Sequence, residues 1–187
     1  MPRESEFTLP RPDCPHPEYW LAPGPSSTEL EVSRLVGAFV RALKPELAIE
    51  TGTGFGQTAE LIGQALARNG RGRLVSLEVD PERVESSRQR CAGLPVEVLQ
   101  MPSLEYVPDQ GIDFLWIDSL EELRPAEISR FAAWATPRCV IGIHDTGPHK
   151  ELRKMIAKLV DDGLLTSPLY LPTPRGVCFC RYRDGIG

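Results

Sequence analysis

Residues 46–60 read ELAIETGTGFGQTAE. Leu47, Ala48 and Ile49 form a short apolar strand that closes on the acid Glu50. Three glycines follow, Gly52, Gly54 and Gly56, alternating with Thr53 and Phe55. From Gln57 to Ala67 a helical pattern sets in, with Ala59, Ile62, Leu66 and Ala67 on one face. A tight turn from strand to helix needs one glycine; three leave bare main chain against which a ligand can lie. The helix aims its free N–H groups and the positive end of its dipole at the same place. A strand, a glycine-rich turn and a helix therefore suit a nucleotide-like ligand. The spacing is G-x-G-x-G, not the G-x-G-x-x-G of dinucleotide sites, and an acid stands two residues before the first glycine. A pyrophosphate is repelled by that acid, whereas a ligand carrying an ammonium and a sulfonium tolerates it.

The segment Glu50-Thr51-Gly52-Thr53-Gly54-Phe55-Gly56 resembles the first motif, E/D-x-G-x-G-x-G, of the class I S-adenosylmethionine-dependent methyltransferases. In that family the loop wraps the methionine end of the cofactor and the acid helps to bind its amine. The resemblance implies that Glu50, Gly52, Thr53, Gly54, Gly56 and Thr58 surround S-adenosylmethionine.

Outward from this loop the chain alternates strands and helices. On the N-terminal side, Leu30, Leu35, Phe39 and Leu43 predict an amphipathic helix, capped at Ser26–Thr28 with Glu29 and Glu31 in its first turn and stopped by Pro45. Residues 1–26 carry seven prolines and read as an extended N-terminal extension, with Tyr19, Trp20 and Leu21 as anchors or as part of a pocket mouth. Residues 27–187 read as a single domain. On the C-terminal side, strands are expected at Arg73–Val79, Pro95–Leu99, Ile112–Ile117 and Arg138–Ile143. Helices are expected at Pro81–Arg90, Leu123–Ala135 and from Pro148 to about Asp162. Leu164–Leu171 and Val177–Tyr182 make a hairpin-like pair, and alternation in VCFCRY puts Cys178, Cys180 and Tyr182 on one face. A terminal hairpin after βα units is similar to the ending of class I methyltransferases. The resemblance thus implies a Rossmann-like, seven-stranded mixed α/β sheet with helices on both faces and an antiparallel C-terminal hairpin.

Strand ends carry the candidate chemistry. Glu78 lies 22 residues after Gly56, at the end of the second strand, where an acid accepts hydrogen bonds from both ribose hydroxyls. Asp118-Ser119 and His144-Asp145-Thr146 leave two later strands into the ligand crevice. Ser103 matches a serine that contacts adenine in proteins similar to catechol O-methyltransferase. Methyl transfer to a hydroxyl needs alignment, plus a base or a metal to take up the proton. His144 suits a base, since a free imidazole titrates near ~6.5. Asp118 and Asp145 instead offer oxygen ligands to a divalent cation such as Mg²⁺. Metal-dependent relatives carry a D-N pair where this chain has Asp145-Thr146. Asp118, His144 and Asp145 form the candidate catalytic face, and Asp118 and Ser119 also border the cofactor.

Composition narrows the partners. A net charge of −5 over 187 residues disfavours a nucleic-acid surface. No apolar run is long enough to span a bilayer, and the N-terminus lacks a secretory signal. Five cysteines, an odd number, fit thiols in a reducing cytoplasm. Cys14 and His16 alone do not make a zinc site. The apolar terminal strands offer a surface for a homodimer without demanding one. The function expected is O-methylation of a small hydroxylated acceptor. Two alternatives stay open: an NAD-dependent oxidoreductase, which would use the same acid at Glu78, and a catalytically silent nucleoside-binding protein.

Overall fold

The computed structural model describes residues 19–22 and 27–183. The prolines of the N-terminal extension, with Cys14 and His16, lie outside the described residues. The elements run α1 (Leu30–Leu43), β1 (Leu47–Thr51), α2 (Gln57–Asn69), β2 (Arg73–Glu78), α3 (Pro81–Arg90), β3 (Val96–Gln100), β4 (Ile112–Ile117), α4 (Arg124–Phe131), β5 (Ala135–His144), α5 (Glu151–Asp161), β6 (Leu165–Leu171) and β7 (Val177–Tyr182). The seven strands order as β3-β2-β1-β4-β5-β7-β6. Strands β1 to β5 pair in parallel, and β7 inserts antiparallel between β5 and β6. The order reverses between β1 and β4, which opens a crevice at their C-terminal ends. This is the mixed sheet and terminal hairpin expected from the sequence.

β1 and β4 are buried on both faces, which is why LAIET and IDFLWI read as continuous apolar runs. One core lies under α4 and α5 and gathers Leu115, Ile117 and Ile143 from the sheet with Phe131 and Ile156 from the helices. The other lies under α1 and α2, around Val36, Ile62, Phe114 and Trp116. The alternation in β7 serves both: Cys178, Cys180 and Tyr182 face the first core, Val177 and Phe179 the second. All four described cysteines are free and buried. The outer strand β6 is irregular at Thr166–Leu169, with Ser167 at φ 54 and Pro168 beside it, devices that discourage another strand from pairing there.

Three boundaries depart from the sequence reading. Helix α1 starts at Leu30, not near Ser27, because Thr28 and Glu29 spend their side chains elsewhere; Glu29 occupies the N-cap position without capping. Pro148 does not open α5: Lys150 N–H bonds back to Gly147 in a turn, and the helix begins at Glu151. The segment read as one helix to Ala135 ends earlier, in a short 3₁₀ turn over Ala132–Trp134, and β5 takes over from Ala135.

Candidate active site

A cavity of about 1000 Å³ opens over the C-terminal ends of β1, β2 and β4. One end is the glycine loop. Gly52, Gly54 and Gly56 all have φ between 56° and 78°. Gly52 packs so closely under the end of β4 that an added Cβ would come within 2.4 Å of the Asp118 carbonyl oxygen. Replacement of Gly52 by Ala is expected to cost at least about 2 kcal/mol from backbone strain and collision, read as a lowered urea midpoint.

Glu78, at the end of β2, lines the same end. Its Oε2 accepts from Gly54 N–H at 2.9 Å, and its Oε1 accepts from the N–H groups of Val79 and Asp80. The acid thus fixes the loop while lining the cavity. Thr53, Thr58, Ser103 and Ser119 also line it, with Met101 and Leu104 supplying apolar wall. Glu50 does not reach it. It is 1% exposed and accepts from Ser76, whose hydroxyl also bonds Thr53, so a chain of hydroxyls separates the carboxyl from the loop. Burial pushes the Glu50 carboxyl up to about 8, the Ser76 bond offsets part of this, and Asp118 and Glu78 add to the rise. It is therefore largely neutral at pH 7.

The other end is walled by a charge cluster drawn from five places. Segment 27–29 crosses in front of the sheet. There Thr28 Oγ1 donates to Asp118, and Glu29 Oε2 meets His144 Nε2 at 2.7 Å. His144 Nδ1 lies 3.1 Å from Asp118 Oδ1. From α4, Arg124 Nη2 lies 3.3 Å from Asp118 Oδ1 and 3.1 Å from Asp145 Oδ2. From the β6–β7 turn, Arg175 grips Asp145 with Nε at 2.6 Å and Nη2 at 2.8 Å, and its Nη1 donates to Ser27 C=O. Asp145 sits at φ 59, a strained conformation for a non-glycine residue, and these ion pairs hold it there.

Burial decides what each group can do. Asp118 lines the cavity with its side chain 15% exposed. His144 is fully buried, away from the lining, with a carboxylate at each ring nitrogen. Burial opposes its charge, yet Asp118 and Asp145 beside it and the bonds to Asp118 and Glu29 raise it to about 10. It is an imidazolium at neutral pH, with no free lone pair to accept a proton. Burial likewise raises Asp145, but His144, Arg175 and Arg124 outweigh it and hold the carboxyl well below its usual range. Thr146 is buried, and its hydroxyl finds no partner among the described residues.

Four residues of this site escaped the sequence reading: Glu29, Arg124, Glu127 and Arg175. Glu127 is fully buried and accepts from Thr51 and Ser119 at 3.0 and 2.7 Å, and from Ser103. Arg124 and Glu127 share the helix face of Ile128 and Phe131, at i, i+3, i+4 and i+7. Charges interrupting a buried stripe were the available signal.

The family model described as "Methyltransferase domain" matches residues 49–146, from Ile49 in β1 through Thr146. The chain belongs to this family. No curated protein matches the chain in sequence. Among solved structures, cofactor-bound Rv0187 from MTB superposes with a TM-score of 0.74 at 18% identity, covering 85% of this chain and 83% of that one. The SAH-bound methyltransferase PaMTH1 of Podospora anserina gives 0.72 at 18%, over 84% and 80%. The O-methyltransferase TomG of Streptomyces achromogenes, in complex with SAM, gives 0.68 at 18%, over 82% and 80%. At such identities these likenesses establish the fold of this methyltransferase domain.

Proposed function

We propose that this methyltransferase uses S-adenosylmethionine to methylate a hydroxyl of a small acceptor. The observation that carries the reading is one cavity with two unlike ends. The glycine loop and Glu78 suit a nucleoside with an amino-acid tail, and Thr28, Asp118 and Arg175 offer polar contacts for an acceptor. Its volume, about 1000 Å³, suits the two together. The O-methyltransferases among the structural relatives support the choice of a hydroxyl.

The cofactor, when bound, supplies an electrophilic methyl on sulfur. This chain contributes alignment. The loop backbone and Glu78 hold the nucleoside, with Ser103 and Ser119 at its border. Asp118 would orient the acceptor hydroxyl and accept its proton on methyl transfer. His144 and Asp145 act through Asp118: the His144 ring holds its Oδ1, and Asp145 holds Arg124, whose Nη2 pairs with the same oxygen, so the Asp118 rotamer is fixed. Glu50 acts through Ser76 and Thr53 on the loop. The buried free cysteines fit a cytoplasmic setting, and no described helix is long and apolar enough to cross a membrane.

Calorimetric titration with S-adenosylhomocysteine, with NAD as comparator, tests the reading. The expected result is a single site with Kd on the order of 10 µM and none for NAD. NAD binding without homocysteine-nucleoside binding, in folded protein, would overturn it. Binding with no turnover across hydroxylated acceptors would favour the silent nucleoside-binding alternative.

A further inference from the structure

The acceptor end of the cavity is backed by three buried or nearly buried acids, Glu29, Asp118 and Asp145, against Arg124, Arg175 and His144. Ligand atoms of Asp118, His144 and Asp145 lie within 4.8 Å of one another, a grouping that on distance alone would suit a metal ion. The neighbours say otherwise. Arg124 Nη2 is within 3.3 Å of one oxygen from each aspartate, in the gap where a bridging ion would have to sit. Arg124 cannot easily swing away. Its side chain is 3% exposed, its Nε and Nη2 donate to Ser119 C=O at 2.8 and 2.6 Å, and its Nη1 donates to His144 C=O at 2.6 Å. Both Asp145 oxygens are also engaged by Arg175. Hard divalent cations require six or more oxygen ligands, and here nitrogen donors face the same oxygens.

We propose that Arg124 is a resident cation: its guanidinium bridges Asp118 and Asp145 in the place of a divalent metal, and the site works without one. Arg124 already engages one oxygen of each aspartate and Arg175 both oxygens of Asp145, so a bridging ion would have to displace buried guanidiniums. A guanidinium also keeps its charge at any physiological pH and binds carboxylates as a planar fork. It joins the ends of β4 and β5 directly, which positions Asp118 whether or not substrate is present. An acceptor finds no ion to chelate, so a lone hydroxyl suffices and a vicinal diol gains nothing. The proposal draws its chemical meaning from the methyltransferase reading, but its test is metal binding alone.

The experiment is titration of the protein with Mn²⁺, followed by the loss of the free-ion paramagnetic resonance signal. The wild-type chain is expected to show no site with Kd below ~1 mM. Arg124→Met should bind one Mn²⁺ at least ~10-fold more tightly than wild type, because removal of the guanidinium unmasks the carboxylates. Adding Asp118→Asn should abolish that gain. One Mn²⁺ bound by wild type and lost in Asp118→Asn would overturn the proposal. So would a folded Arg124→Met protein that gains no Mn²⁺. Should that variant not fold, wild type and Asp118→Asn decide between the same two results. S-adenosylhomocysteine titration of the same samples reports the methyltransferase reading separately.

Discussion

Replacing His144 with Ala should lower the stability of the folded chain by roughly 3–5 kcal/mol, the range for stripping one partner from a buried ionic network. The ring is fully buried between Glu29 and Asp118, with Asp145 3.7 Å away, so its loss leaves three carboxylates facing two guanidiniums. For a chain of this size the melting temperature should fall by about 10–15 °C. Pairing the change with Glu29→Gln should recover part of the loss, since the two residues are in contact. The pH dependence separates this role from ordinary packing. The groups facing the ring are Glu29, Asp118 and Asp145, with Arg124 and Arg175 one shell behind. The folded ring titrates near 10, above the ordinary 6.5, so the stabilisation is fully present below pH 6.5 and is lost as the pH rises toward 10. Wild type and His144→Ala should therefore converge in stability at high pH; a constant gap would point to packing alone. Affinity for S-adenosylhomocysteine should change by less than about threefold, ~0.7 kcal/mol, because the glycine loop lies at the other end of the cavity. A loss of methyl transfer with kcat falling and cofactor binding retained is what a positioning residue gives.

Glu50→Gln should act in the opposite direction. The folded carboxyl is raised to about 8 from 4.5, chiefly by burial. A raised carboxyl stabilises the fold at low pH, and that contribution drains away as pH climbs from about 4.5 toward 8, at up to ~1.4 kcal/mol per pH unit. Glutamine keeps the shape, keeps an acceptor for Ser76 and never ionises. The variant should match wild type near pH 4.5 and exceed it by several kcal/mol at pH 8, an order-of-magnitude figure for so buried a group. Denaturant melts at both pH values measure it. Cofactor affinity should stay within about threefold if Glu50 only braces the loop. A much larger loss, confined to ligands with an amino group, would instead place the carboxylate on the cofactor's amine, as the family motif implies.

The contrast between these residues explains what the sequence made legible. Glu50, Gly52, Gly54, Gly56 and Glu78 sit at the ends of apolar strands, where backbone periodicity alone assigns a place. The hairpin-like end followed from the same periodicity, and the seven-stranded mixed sheet from the resemblance to class I methyltransferases. Asp118 and His144-Asp145 were also placed at strand ends, but their partners were not. Glu29 read as a first-turn acid favouring the helix dipole; its carboxylate instead reaches His144, 115 residues away. Arg175 lay inside Pro172–Gly176, a stretch that reads as a turn and nothing more. A charge is assigned to solvent unless its counter-charge is seen, and these counter-charges come from distant segments. The same blindness made His144 look like a base: an isolated imidazole titrates near neutrality, and only the carboxylates on both nitrogens remove its lone pair.

The link between segment 27–29 and the β6–β7 turn has a consequence for biosynthesis. Glu29 Oε1 accepts from Arg175 N–H, a contact that spans 146 residues. On the ribosome, the glycine loop, Glu78 and the end of β4 are all synthesised before β5 and the β6–β7 turn. The charged wall is complete only later, because Glu29 and Asp145 wait for Arg175 to emerge. A nascent chain therefore acquires the glycine-loop end of the cavity first, and the charged wall only once Arg175 has emerged.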